Sequence, residues 1–189
     1  MTADDEDPST FDAGVDSGGY MGLFLSRQTI SAQGNLPSKP GVSASGDAIR
    51  LWVGGVVVAV RADSQMTGGG YSLIEDLVAP GLGAPLHMHT REDEAIYVIA
   101  GELEVTVAET RHRAKPGDVV HMPRGIPYGF RNASDRPARM LIVFSPGGFE
   151  RGFLEIGKPV GSEETPPTLT PQDMQRMREV AERYGAKWV

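Results

Sequence analysis

One residue separates His87 from His89, and Glu94 follows after four more. Side chains at i and i+2 of a strand project from one face, so these histidines would present two imidazoles together. A turn over Thr90 to Asp93 lets Glu94 open the next strand, and an antiparallel return can bring its carboxylate to the same face. Two imidazoles and one carboxylate suit Fe(II), Mn, Co, Ni or Zn and leave coordination positions open for a reactant. The predicted cofactor is therefore a divalent first-row transition metal.

The elements around these residues must be strands. From Arg50 onward, runs of β-branched and aromatic residues alternate with Gly, Pro, Asn and Asp at intervals of about 8 to 12 residues, which predicts an all-β sandwich or barrel. The runs are Leu51–Arg61, Tyr71–Val78, Ala84–Met88, Ala95–Ala100, Glu102–Ala108, Val119–Met122, Tyr128–Asn132 and Ala138–Ser145. Ala62–Gly70 and Ala133–Pro137 read as hairpin loops, and Gly101 as a tight turn between strands. Alternation makes Ile96, Val98, Val105, Val107, Ile142 and Phe144 candidates for the inner face.

The flanks read differently. Residues 1–19 are an acidic, Gly- and Ser-containing arm without apolar period, and Tyr20–Ile30 could form one strand before a Pro/Gly/Ser-rich connection reaching residue 49. The barrel is assigned to 50–165 and a helical tail to 166–189. In that tail Thr170 is an N-cap, Pro171 takes the first helical position and Asp173 completes a capping box. Met174, Met177, Ala181 and Tyr184 then follow helical spacing to Gly185 and predict a packing face against the β domain.

Composition narrows the partners. The chain has 189 residues, 18 basic against 25 acidic side chains, a formal charge of -7 and no cysteine. That balance opposes nucleic acid or an anionic membrane as main partner, since both need a basic footprint. Disulfide and thiolate chemistry are excluded. Leu51–Val60, the longest apolar stretch, is about half a membrane helix, and the acidic start is opposite in charge to a signal peptide. The expectation is a cytoplasmic protein that binds a small-molecule substrate and pairs as a homodimer, Tyr20–Ile30 adding to a partner's sheet edge.

The spacing Gly81-x5-His87-x-His89-x4-Glu94-x6-Gly101 resembles the first motif of the cupin superfamily at every fixed position. A second motif follows in Gly117, Pro123, Gly125 and Asn132, with Tyr128 where cupins usually place a fourth, histidine ligand. Within the superfamily, His89-Thr-Arg-Glu-Asp-Glu94-Ala-Ile-Tyr-Val, Pro123-Arg-Gly-Ile-Pro and Phe144-Ser-Pro-Gly-Gly-Phe149-Glu look like the single-domain bacterial proteins similar to quercetin 2,3-dioxygenase. The resemblance implies an antiparallel β-barrel of the double-stranded β-helix or jelly-roll type, holding a metal on His87, His89 and Glu94. Tyr128 then stands behind the ligands as a hydrogen-bond donor, or ligates as phenolate, or marks a site that has lost its metal.

Three functions follow. The first is a metal-dependent oxygenase acting with dioxygen on a small aromatic or enolisable substrate, with Glu94 as ligand or acceptor of the substrate's hydroxyl proton. The second is a non-oxidative isomerase, lyase, decarboxylase or cyclase using Tyr128 as acid or base. The third is a small-molecule-binding cupin with a vestigial site.

The remaining candidates have ordinary structural alternatives. His121 shares a strand face with Val119 and is a candidate additional ligand, although a lone strand histidine more often packs or hydrogen-bonds. His112, between Arg111 and Arg113, is expected in solvent. Period and motif position single out Glu94, so Glu92 and Asp93 are expected to face water. Glu75 alternates with Leu73 and Leu77, which leaves open a buried acid at the pocket or a surface residue. No Gly-x-Ser-x-Gly or P-loop occurs, so phosphate cradling is not expected.

Overall fold

In the computed structural model, residues 42, 44, 46, 48–161 and 166–189 are described. The 1–19 arm and the Tyr20–Ile30 strand lie outside them. The described strands are β1 (Ile49–Val53), β2 (Val56–Ala62), β3 (Ser72–Val78), β4 (Gly83–His89), β5 (Asp93–Ala100), β6 (Leu103–Val107) and β7 (Thr110–Ala114). They continue with β8 (Val119–Met122), β9 (Tyr128–Asn132), β10 (Ala138–Ser145), helix α1 (Glu150–Ile156), β11 (Lys158–Pro159), helix α2 (Pro171–Arg183) and β12 (Ala186–Trp188).

Alternation builds the walls. On β10, Ala138, Met140, Ile142 and Phe144 are buried and the residues between them are less so, as a strand with one face on a core requires. The strands form two antiparallel sheets, ordered β11-β1-β2-β3-β10-β5-β8 and β12-β4-β9-β6-β7, which face each other as a jelly roll. Their inner faces share one apolar core. Ile96, Val98, Val105, Ile142 and Phe144 are buried in it as the pattern predicts, and Val107 is half-buried against it.

Several elements differ from the sequence reading. Leu51–Arg61 spans two strands, because Gly54 and Gly55 take φ of 59° and 87° and close a two-residue hairpin between Val53 and Val56. Valines on both sides of the turn mask it. Thr110–Ala114 is a strand despite its polarity; β7 is a sheet edge whose first four residues are exposed, so no apolar face was needed. Ala133–Pro137 is not a hairpin loop, since β9 and β10 belong to different sheets. Buried Asn132 fixes that crossing by donating from Nδ2 to the carbonyls of Val78 and Arg136 at 2.8 and 2.7 Å.

Gly101 makes the corresponding crossing from β5 to β6 with φ 77°, and a Cβ there would stand 2.6 Å from the Ala138 Cα. Backbone conformation and close approach both demand glycine.

Helix α2 starts as predicted, with the reciprocal Thr170–Asp173 capping box and proline in the first turn. Ala181 and Tyr184 pack against the core. The chain then does something the sequence reading lacked: after Gly185, at φ 106°, β12 pairs with β4, placing Trp188 opposite His87 and Ala186 opposite His89. Among the described residues, no helix is long and apolar enough to cross a membrane.

Candidate metal centre

The centre begins with an irregularity in β4. Gly83 and Ala84 pair with Arg131 and Phe130 on β9, but His87 pairs with Tyr128, so the register shifts across Pro85 and Leu86. Proline has no N–H to give a ladder, which suits it to such a bulge. Gly83 permits the close start, since a Cβ there would fall 2.0 Å from the Phe130 carbonyl oxygen. Beyond the bulge, His87 and His89 share one face and both are buried.

Glu94 reaches them from the opposite wall. Strands β4 and β5 lie in different sheets, so the expected antiparallel return is instead a crossing of the barrel. Glu94 pairs in register with Phe144 on β10 and Met122 on β8, and its carboxylate projects inward. One ligand atom from each of His87, His89 and Glu94 lies within 4.8 Å of the other two.

Each histidine has one nitrogen occupied. His87 Nδ1 is 2.8 Å from the Pro85 carbonyl oxygen, an acceptor, so this nitrogen carries the proton and Nε2 keeps a lone pair. His89 Nδ1 faces Glu92 Oε2 at 3.4 Å, and its Nε2 is buried without a hydrogen-bond partner, 3.6 Å from Glu94 Oε2. An orphaned imidazole nitrogen beside a carboxylate, with the other nitrogen held by an acid, is the donor set that a divalent metal uses. The residues therefore fit such an ion.

Tyr128, 1% exposed, donates its phenolic O–H to Glu94 Oε2. Its ring lies 4.5 Å from that of His87 between centroids, and Phe149 stands edge-on to His89 at 4.1 Å. Burial pushes the Glu94 carboxyl up to about 7 against the pull of His89, and the same burial lowers the His87 imidazole to about 4. Burial, with the Glu94 carboxylate beside it, drives the Tyr128 phenol well above its ordinary value. Neutral imidazoles are the form that binds a metal.

His87, His89 and Glu94 line a cavity of about 250 Å³ whose other walls include Val58, Phe130, Ile142 and Phe144 from the barrel and Phe149 and Phe153 from the α1 region. Met174, Met177 and Ala181 of α2 and Trp188 of β12 line it too, so part of the helical stripe that predicts packing also shapes the cavity. Buried Glu150 anchors α1 by accepting from the N–H groups of Ser64 and Gly148 at 2.9 and 2.7 Å.

Other candidates fall elsewhere. His121 is exposed on β8, whose inward positions are Val120 and Met122, so it does not enter the barrel. His112 is exposed, as expected. Asp93 is partly exposed and holds Arg124 through two oxygens at 2.9 Å. Glu92 does not face water; it is 4% exposed and turned toward His89. The turn, having no strand period, let it fold inward. Glu75 is buried, but on the side of β3 away from the cavity, between Arg61 and Arg139. The cavity's acid on β3 is Asp76. Ile74 and Val78 on its face are as apolar as Leu73 and Leu77 on the other, so alternation alone could not choose between the two acids.

Residues 75–144 match the family model of the cupin domain. The quercetin 2,3-dioxygenase of Bacillus subtilis (strain 168) is 30% identical over 128 residues, which cover 68% of this chain and 38% of that enzyme. Protein SchB of Streptomyces halstedii is 31% identical over 70 residues, 37% of this chain and 51% of that protein. The chain thus spans about two fifths and one half of these relatives. An RmlC-like cupin from Shewanella frigidimarina NCIMB 400 superposes with a TM-score of 0.51 at 18% identity, over 58% of this chain and 93% of that one, a likeness of fold. With both motifs on one jelly roll and the histidine pair inside it, this chain belongs to the cupin superfamily.

Proposed function

We propose that this cupin is a metal-dependent oxygenase that uses dioxygen on a small aromatic or enolisable substrate. The observation that carries the reading is the buried cluster of His87, His89 and Glu94, with the imidazole Nδ1 atoms turned to Pro85 and Glu92 and the Nε2 atoms left for a metal. The 30% identity to a quercetin 2,3-dioxygenase supports the oxygenase class. A bound divalent first-row metal would supply Lewis-acid stabilisation of an enolate or phenolate and a binding position for dioxygen.

The chain's own residues do the rest. Glu94 accepts the substrate's hydroxyl proton or ligates, and Tyr128 holds the Glu94 Oε2 through its O–H. The aromatic wall of Phe130, Phe144 and Phe149 excludes water and takes the substrate's apolar body. A volume of about 250 Å³ lies just under the ~300–1,000 Å³ of common ligand sites and favours a small substrate.

Protein reconstituted with Fe, Mn, Co, Ni or Zn tests this by oxygen uptake with quercetin and smaller enolisable compounds. Ring or C–C cleavage in air and none under argon is expected; no uptake across the panel overturns the reading. The Tyr128–Glu94 hydrogen bond favours one second reading, a non-oxidative reaction in which the pair relays a proton. Turnover that continues without oxygen selects it. The proposal includes a cytoplasmic homodimer, and a monomeric mass at micromolar concentration contradicts the pairing.

A further inference from the structure

Asp76 is a buried acid that neither the metal cluster nor the barrel's ion pairs use. It lies mid-strand on β3, between Ile74 and Val78 on the inward face and opposite Val58 and Met140 in the ladder. All four neighbours are 0–2% exposed and none carries a hydrogen-bonding side chain. Asp76 itself is 6% exposed, its Oδ1 is buried without a hydrogen-bond partner, and it lines the same cavity as His87, His89 and Glu94. It does not join their 4.8 Å cluster.

Other buried acids among the described residues are held. Glu75 takes Arg61 and Arg139, Glu150 takes two backbone N–H groups, and Glu92 faces His89. A buried carboxyl oxygen left unpaired in apolar surroundings destabilises the fold. On a cavity wall such an oxygen is placed to pair with a ligand atom.

We infer that Asp76 is a substrate-binding residue that hydrogen-bonds a hydroxyl on an otherwise apolar small molecule, at a point of the wall separate from the metal ligands. A hydroxyl both donates and accepts, so it pairs with the carboxyl in either protonation state. An anionic group would set like charge against Asp76 and Glu94 in an apolar cavity. Burial, with Glu94 and Glu75 adding to it, pushes the Asp76 carboxyl well above the usual carboxylate range, and a neutral hydroxyl pairs with it whether or not it keeps its proton. The inference rests on the proposed function and deepens its substrate class: an aromatic or enolisable molecule with one oxygen toward the metal residues and a second hydroxyl for Asp76, outside their cluster.

The test crosses ligand hydroxyl with protein carboxyl. Binding of 2-naphthol and 2,6-dihydroxynaphthalene to the full chain and to Asp76→Leu is followed by ligand fluorescence with Zn(II) present and under argon, so that no oxygenation intervenes. The second hydroxyl should improve affinity about tenfold in the natural protein and within about twofold in the variant. Asp76→Leu should melt no lower than the natural protein, since an unsatisfied polar group is gone. If leucine overfills the site, Asp76→Ala must show the same loss of hydroxyl preference. Equal preference in all proteins, or no binding of either compound to the natural one, overturns the assignment. The readout is binding, so absent oxygen uptake with an intact hydroxyl preference would sink only the oxygenase reading.

Discussion

Glu92 turns its Oε2 toward His89 Nδ1 at 3.4 Å, so an acid beside the motif orients the histidine whose other nitrogen is orphaned in the cavity. A carboxylate behind a ligating imidazole fixes its tautomer and raises its basicity. Glu92→Gln keeps the size and weakens that hold, and the expected result is a metal affinity about 10- to 100-fold lower with the fold intact. Competition with a fluorescent chelator measures it. Unchanged affinity would mean that the Glu92–His89 approach has no bearing on the metal.

Tyr128 donates to Glu94, and we propose that it acts through that carboxylate rather than as a ligand. Tyr128→Phe keeps the ring against His87 and removes only the O–H donated to Glu94. Metal content should survive while turnover falls about 10- to 100-fold, the usual effect of losing a residue that positions a ligand. Loss of metal from the folded variant by elemental analysis would show that the phenol coordinates directly. His87→Ala or His89→Ala should abolish binding in either case, because two protein ligands rarely hold a divalent ion against water.

The contrast between Glu94 and Glu92 shows what the sequence carried. Strand period and motif spacing fix the faces of His87, His89 and Glu94, and likewise the inward Ile96, Val98, Ile142 and Phe144. Glu92 lies in a turn, where no period constrains direction, and its inward fold depends on where His89 ends up. Asp76 was masked differently: β3 is buried on both faces, so alternation carries no contrast. Strand β12 is three residues whose only reason to be a strand is the edge of β4, a long-range fact absent from local sequence. His121 misled because a four-residue edge strand has a weakly specified register.

The capping box of α2 has a pH signature. Hydrogen bonds from the Thr170 backbone and side chain, then from Lys158, lower the Asp173 carboxyl from its ordinary value of 3.8 to about 2. A carboxyl lowered by folding stabilises fully above its unfolded value and loses that contribution as pH falls toward the folded one. Asp173→Ala should therefore melt below the natural protein at pH 7 and down to about pH 4, with the gap closing as pH falls toward about 2. Thermal melts across that window decide it. A gap that stays constant would show that the stabilisation does not depend on the ionised carboxylate.

Strand β12 covers β4, the strand that carries His87 and His89. In the five-stranded sheet β4 lies between β12 and β9, and the ladder sets Trp188 against His87 and Ala186 against His89. Ending the chain after Gly185 deletes this ladder while keeping the Gly185 carbonyl, which accepts from the Thr90 N–H and hydroxyl, both at 2.8 Å. β4 then becomes an unpaired edge, and the irregular register at Pro85–Leu86 leaves it few bonds to β9 with which to resist fraying. It also loses the Trp188 ring, whose centroid is 5.7 Å from that of His87. The expected outcome is faster amide exchange at His87–His89 and a metal affinity lower by about tenfold, on a loss of order 1 kcal/mol from a pre-formed ligand strand. Trp188→Ala, which keeps the ladder, should give a smaller part of that loss. Exchange at His87–His89 as slow in the shortened chain as in the full one would show that β9 alone holds the ligands in place.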